Sequence, residues 1–423
     1  MSLKNTLEKS KLLKHISIVF AWDNIAKFIG VVTTIICVRL LSKEDYAFYT
    51  LFLSASMFFV GVVSSGIDMA YVRFSAEEYS FKKKMPNDIF VFSLVFCFTI
   101  FIFLLPFVLV FNEKLSVLMF RNSSYGQAIC LGFVSAMGLF LITMISRYYQ
   151  VQEKYSLAGI FISLQKLLFF IGILFMFIVQ QITFLTIAYL QIVVILFFGV
   201  GAVFVLRNDL LCEELCLNYT RFKNFFKASF WLIMYFLCLA LFGQLDIFMI
   251  SRLMTVDALA EYGVAVKYYG FLMLMFPSIK TVLKVRTSKI DMVESIEKQR
   301  EFFKKWIKVS SFFLLPCIIV LFFLSDRVMT LLNGTEYIKS ILPFKILSVS
   351  AMCSYVFSPS VDIFRAMRKY FLLFCFGVIT LFANFFGNLV LIPIYGIIGA
   401  AFATFISYFI VNGLATIYVL FRE

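Results

Sequence analysis

Arg39-Leu40-Leu41-Ser42-Lys43-Glu44-Asp45-Tyr46-Ala47-Phe48-Tyr49 returns 213 positions later as Arg252-Leu253-Met254-Thr255-Val256-Asp257-Ala258-Leu259-Ala260-Glu261-Tyr262. The shared pattern is R-L-[LM]-[ST]-x-[ED]-x-x-A-x-Y. Each copy lies between long apolar runs, and Gly30 and Gly243 keep the same offset. In a chain of 423 residues that offset is close to half the length, so the repeat predicts two copies of one half-molecule. Duplicated halves around a central site are a recurrent way of building a membrane transporter.

Two further matches extend the duplication. Tyr125 in Arg121-Asn122-Ser123-Ser124-Tyr125 answers Tyr337 in Asn333-Gly334-Thr335-Glu336-Tyr337, 212 positions on. Gln150-Val151-Gln152-Glu153-Lys154-Tyr155 answers Arg365-Ala366-Met367-Arg368-Lys369-Tyr370 at an offset of 215. The expected division is a first half of residues 1–206, a linker at 207–227 and a second half of residues 228–423.

Lipid is the expected solvent. Hydrophobic residues make up 62% of the chain, charged residues 15%, and the mean hydropathy is +0.97. A soluble globular chain carries roughly 45–50% apolar and about 25% charged residues. Since about 20 helical residues cross the hydrocarbon, the apolar runs predict twelve spans. They are 16–38, 47–71, 88–111, 126–148, 156–179, 183–206, 228–250, 259–278, 308–325, 341–360, 371–392 and 397–420. Their length and continuity exclude barrel strands, leaving an all-α integral membrane protein. The basic residues before the first run, with no short apolar core or cleavage site, read as an uncleaved span.

Lysine and arginine are unevenly placed. The N-terminus and the loops on its side hold 27 of them, the opposite loops hold seven, and four lysines lie within spans. By the positive-inside rule both termini are expected in the cytoplasm. The net charge of +14 then faces anionic lipid, and nucleic acid is not needed to explain it. The polar stretch 279–308 reads as a solvated helix on the membrane surface. Because six is even, the two halves enter the membrane in the same sense, about an axis along its normal.

Several chemistries are excluded. No G-x-x-x-x-G-K-[ST] loop is present, so the chain itself is not an ATP-driven pump. His15 is the sole histidine, and no deep carboxylate pair or nucleophile with a base can be found, which argues against an enzyme. Nine cysteines are mostly scattered singly through apolar runs. Cys212 and Cys216 share a helical spacing but lack the further ligands of a tetrahedral zinc site, so no metal is expected.

Charges inside spans are costly and so point to a cavity or a partner. Asp23 and Lys27 stand one turn apart, followed by Gly30 and Thr34. Ser54, Gly61, Ser64 and Asp68 form a second polar stripe, and Ser156, Gly159, Ser163 and Lys166 a third. Gln244 and Asp246, Gly263 and Lys267, Lys345 and Ser348, and Asn384 and Asn388 mark further spans. Such stripes turn away from lipid, and together they predict one cavity. The candidate substrate ligands are Lys27, Lys166, Lys267, Lys345, Asn384 and Asn388. Asp23, Asp68 and Asp246 are candidates for a coupling proton or sodium ion. Plainer readings stand beside these: an Asp23–Lys27 pair, snorkelling of Asp68 and Lys345, and helix-to-helix hydrogen bonds from the asparagines.

Two more stretches carry a family resemblance. Gly66-Ile67-Asp68-Met69-Ala70-Tyr71-Val72-Arg73 reads G-[IL]-x-x-A-x-x-R, and Ile392-Pro393-Ile394-Tyr395-Gly396-Ile397-Ile398-Gly399-Ala400-Ala401 reads [LI]-P-x-Y-G-x-x-G-A-A. With the R-L-[LM]-[ST]-x-[ED] turns, the chain resembles the Wzx-type polysaccharide flippases of the multidrug/oligosaccharidyl-lipid/polysaccharide (MOP) exporter superfamily. That resemblance implies a MATE-like architecture, two six-helix bundles around a central cavity. It also implies transport of undecaprenyl-pyrophosphate-linked oligosaccharide, such as an O-antigen unit, across the bacterial inner membrane. A glycan polymerase and a chain-length regulator are the partners it implies. The rival reading is a MATE-type multidrug or cation antiporter. Intramembrane lysines suit an anionic pyrophosphate-sugar and repel a cationic drug.

Overall fold

The computed structural model describes residues 25, 26, 28–82, 85–211, 219–287, 296–357 and 359–421. Asp23, Lys27, His15, Cys212 and Cys216 lie outside the described residues. The described chain is helical throughout, with no strand. Its helices are α1 (Phe28–Leu40), α2 (Lys43–Val63), α3 (Ser65–Lys82), α4 (Asn87–Phe120), α5 (Gly126–Val151), α6 (Tyr155–Ile178) and α7 (Phe184–Leu211). They continue as α8 (Tyr219–Leu253), α9 (Val256–Thr287), α10 (Ile296–Asn333), α11 (Ile341–Phe357), α12 (Pro359–Ala366), α13 (Tyr370–Tyr395) and α14 (Ile397–Phe421).

Ten of these are long and apolar enough to cross a membrane. The first predicted span is represented by the shorter α1, and the eighth by α9, which is not among the ten. Large apolar side chains point outward, among them Phe103 and Phe323, each 80% exposed. In water such a surface would aggregate, whereas in lipid it is solvated. The protein is a multi-pass membrane protein.

The helix ends explain the repeat. Ser42 caps α2, its hydroxyl accepting the Asp45 backbone N–H at 3.1 Å. Thr255 stands at the same point before α9 and accepts from the Ala258 N–H at 3.4 Å. The [ST] of the motif therefore supplies an N-cap, satisfying a donor that the first helical turn leaves open. Downstream, α4 ends on Arg121 and α10 on Gly334, both at positive φ and again 213 residues apart.

Two predicted spans differ in detail. The run 47–71 is interrupted where α2 stops at Val63 and α3 resumes at Ser65, and the run 341–360 divides into α11 and α12. Serine hydroxyls take over backbone acceptors at these breaks: Ser64 donates to the Val60 carbonyl and Ser360 to that of Phe357. Helical structure also enters both ends of the 207–227 stretch, with α7 running to Leu211 and α8 starting at Tyr219. Likewise α9 continues to Thr287 and α10 begins at Ile296, so helix covers both ends of the polar stretch 279–308, and residues 288–295 lie outside the described residues. Apolar runs mark only what lipid solvates, and a helix continues beyond them until something caps it.

The α13–α14 hairpin turns on a single residue. Gly396 adopts φ +60° and ψ −139°, a conformation open essentially to glycine. A Cβ on Gly399 would collide with the Leu391 carbonyl. The Y-G-x-x-G-A-A element thus folds α14 directly back onto α13, with Ala400 and Ala401 fully buried between them. In the other direction, α2 packs on α8 and α9, joining residues of the two predicted halves.

Candidate functional site

Asp246 on α8 is the centre of the densest polar cluster inside the helices. Tyr262 of α9 donates to Oδ2 at 2.6 Å, and Thr404 of α14 donates to the same oxygen at 2.5 Å. Oδ1 receives Asn388 Nδ2 at 2.7 Å and Asn384 Nδ2 at 3.0 Å, both from α13. Asn384 also donates to Thr404 at 3.1 Å, and Asn388 to Asn384 Oδ1 at 3.1 Å. The hairpin is what makes this possible, since folding α14 back brings Thr404 level with the two asparagines.

All the partners are neutral. No basic side chain pairs with Asp246 among the described residues, and Asn388 Oδ1 is buried with no partner. A carboxylate in hydrocarbon held only by neutral donors carries an uncompensated charge. The asparagine amides can rotate to present oxygen instead of nitrogen. Carboxylate, amide and hydroxyl oxygens are the ligand types of hard cations. The described residues hold no cluster of three or more His, Cys, Asp or Glu that would take a transition metal.

The lysines fall in two groups. Lys166 lies on α6 and Lys267 on α9, one in each predicted half. The stripes predicted on α2 and α8 meet, Ser54 donating to Gln244 at 2.6 Å. Lys345 is elsewhere: it pairs with Asp326 of α10 at 2.8 Å and lies over the Phe322 ring. Asp68, too, is already paired, with Arg147 at 3.2 Å.

Around these groups the halves are tied at both ends. At the face predicted to be outside, Arg39 donates to the carbonyls of Leu332, at 2.7 Å, and Leu331 at the end of α10. Arg252 donates reciprocally to the Leu118 carbonyl at the end of α4, at 2.5 Å. Lys43 pairs with Glu261 at 3.3 Å beside them. At the opposite face Arg368 pairs with Glu77 of α3 at 3.0 Å, and Arg73 stacks on the Tyr370 ring at 4.4 Å.

Sequence reasoning named Asp246, Asn384 and Asn388 but did not join them, and it missed Tyr262 and Thr404. A tyrosine and a threonine on apolar helices are ordinary core residues until their partners are known. The one available signal was Tyr262 itself, which closes the opening repeat as the counterpart of Tyr49.

The described chain is thus a set of long apolar helices with polar and charged groups turned inward. The chain is similar to the lipid II flippase MurJ in its inward closed conformation, at 15% identity and a TM-score of 0.76 over 95% of this chain and 86% of that one. It is similar to an inward-facing MATE family multidrug transporter of the MOP superfamily, at 12% identity and TM-score 0.72 over 97% and 98%. A third likeness is the Vibrio cholerae MATE transporter VcmN in its bent form, at 14% identity and TM-score 0.61 over 97% and 98%. These establish an all-α, MATE-like fold. No curated protein matches the chain. The family model described as Polysaccharide biosynthesis protein matches residues 36–342, and the chain belongs to that family.

Proposed function

We propose that the protein is a flippase for undecaprenyl-diphosphate-linked oligosaccharide, an O-antigen or related surface-polysaccharide unit, in the bacterial inner membrane. Both termini face the cytoplasm in this reading. The carrying observation is membership of the polysaccharide biosynthesis family over residues 36–342, beside lysines on the apolar helices of both predicted halves, Lys166 on α6 and Lys267 on α9. Ammonium groups act as point charges for phosphate, and a diphosphate supplies the matching charge. Because each half contributes one lysine, an occupied site lies at the seam, where rocking of the halves would expose it first to one face and then to the other.

Asp246 with Asn384, Asn388, Thr404 and Tyr262 is assigned to a coupling cation, sodium or a proton. The asparagines then serve the ion rather than the sugar. Lys27 and Asp23 remain candidates for the same cavity, and Asp68, held by Arg147, is assigned a structural role. Family membership supports polysaccharide as the cargo class. The MATE fold is equally compatible with a cation antiporter, but a cationic drug would meet the two lysines as a repulsive barrier.

The test is complementation of a strain lacking the gene, scored by surface glycan. Lys166→Ala or Lys267→Ala should abolish export while the protein remains in the membrane, and arginine at either position should retain part of it. Full export by an inserted double alanine variant would refute the assignment. Reporter fusions at Asp209 should read as cytoplasmic and those at Lys43 and Asn122 as external.

A further inference from the structure

A second charged site, unused by the central cavity, lies at the basic face of the molecule. A cavity of about 680 Å³ opens there between the predicted halves, lined by Arg73, Glu77 and Glu78 of α3, Arg221 of α8, Arg368 before α13 and Tyr370 at its start. Its volume falls in the range of sites that hold small ligands. The arginines are not equivalent. Arg221 is fully engaged, gripping both Asp88 oxygens at 2.9 and 2.8 Å and also pairing with Glu78. Arg368 shares one ion pair, with Glu77, and both partners are more than half exposed. No carboxylate pairs with Arg73 among the described residues, and its guanidinium rests on the Tyr370 ring.

The geometry points to this cavity as a docking site for a diphosphate group, held between Arg73 of one half and Arg368 of the other before the cargo enters the central cavity. The proposal rests on the flippase reading for the identity of the ligand, though the anion site stands on its own geometry. Guanidinium forks match phosphate oxygens two at a time. Two of them in one cavity suit a group with several anionic oxygens better than a singly charged lipid phosphate. Burial, and after it the charge of Arg368, pulls the pKa of Arg73 below its ordinary value, with Glu77 opposing. Arginine nonetheless keeps its proton in proteins, so the net effect is a cation short of an anion. Tyr370 covers one face of Arg73 and leaves its edge for the ligand.

Glu77 occupies Arg368 when no ligand is bound. A diphosphate must displace it, and doing so breaks an ion pair that bridges the halves. Docking at the basic face is therefore coupled to loosening of that face. By linkage, whatever weakens the Arg368–Glu77 pair strengthens docking.

The experiment is binding of inorganic pyrophosphate to the full-length protein in phosphatidylcholine nanodiscs, followed by calorimetry. Arg73→Ala should weaken binding on the order of tenfold or more, since it removes a charge-assisted, two-pronged contact. Arg73→Lys should recover part of the loss, and Glu77→Gln should bind more tightly than the parent. A merely structural role for these residues would not yield a gain from Glu77→Gln, so unchanged or weaker binding there overturns the proposal even if Arg73→Ala does not fold. Undecaprenyl diphosphate in the nanodisc should displace pyrophosphate at far lower mole fraction than phosphatidylglycerol does. Equal displacement by phosphatidylglycerol would overturn the diphosphate assignment. Binding lost in a Lys166→Ala/Lys267→Ala variant but kept in Arg73→Ala would also overturn this site, leaving the flippase reading intact. Arg73-dependent binding in a protein that supports no glycan export would sink the flippase reading and keep the anion site.

Discussion

At positions 39 and 252 the two predicted halves meet each other alike, while at positions 33 and 246, also 213 apart, they differ. Arg39 reaches the last carbonyls of α10 and Arg252 the corresponding end of α4. Around Asp246 the symmetry fails. Its counterpart Thr33 donates to its own helix, at the Ile29 carbonyl, 2.7 Å away. At the 213 offset Tyr262 and Thr404 correspond to Tyr49 and Gln191, which bond each other at 3.1 Å. Asn384 and Asn388 correspond, at the 215 offset, to Phe169 and Ile173, both buried in apolar surroundings.

The difference has a physical basis. Open carbonyls at a helix C-terminus are present whatever the side chains are, so an arginine that reaches them keeps its acceptors as the sequence drifts. A buried carboxylate needs every one of its donors, and a second such site would double the cost of charge in hydrocarbon. One predicted half carries the polar cluster, and at the matching positions the other has the Tyr49–Gln191 pair and apolar packing.

The strongest way to break this comparison is at the acid. Asp246→Asn should abolish cation-dependent export, whereas Thr33→Val should leave it near the parental level, both scored as surface glycan at fixed sodium and pH. An equal loss from the two would restore the symmetry and remove the ion assignment. Next in size, Asn388→Ala should lower the affinity for the stabilising cation about 10–100-fold, the usual cost of removing a supporting ligand. Sodium titrations of thermal unfolding read this directly, and Gln191→Ala should not shift them.

Smaller and equal effects are expected at the seam. Arg39→Ala and Arg252→Ala should each cost about 1 kcal/mol of the closed outer face, a cation removed from an exposed helix end. That corresponds to about a fivefold rise in the population open at that face. Thiol labelling of a cysteine placed at Tyr46 would measure it, and clearly unequal responses would show that the two contacts are not counterparts. Smallest of all, Asp326→Asn should change stability by about 0–1 kcal/mol and export little, because the Lys345 pair it breaks has a carboxylate 58% exposed. A large loss of export would return Lys345 to the cavity.

How much of the site was legible follows the same division. Asp246, Asn384 and Asn388 stood out because polar atoms in an apolar helix need an explanation. Their mutual bonds did not, since helical period gives the face on which a residue lies and says nothing of the helix it will meet. Thr404 carried no signal, since it resembles core, and Arg73 was legible only as the last residue of the G-[IL]-x-x-A-x-x-R motif, which does not show what it faces.

The sequence by itself determined that the chain is a set of lipid-spanning helices, and that motifs of its first part recur in its second. Those properties are local: apolar length is set by the thickness of hydrocarbon, and N-caps by one side chain and one turn of backbone. Only the tertiary structure decided that Asp246 meets asparagines 138 and 142 residues away, and that Arg39 closes on carbonyls 292 and 293 residues away. Such meetings depend on how each helix is rotated and which neighbours it packs against, a property of the whole bundle that no single stretch encodes.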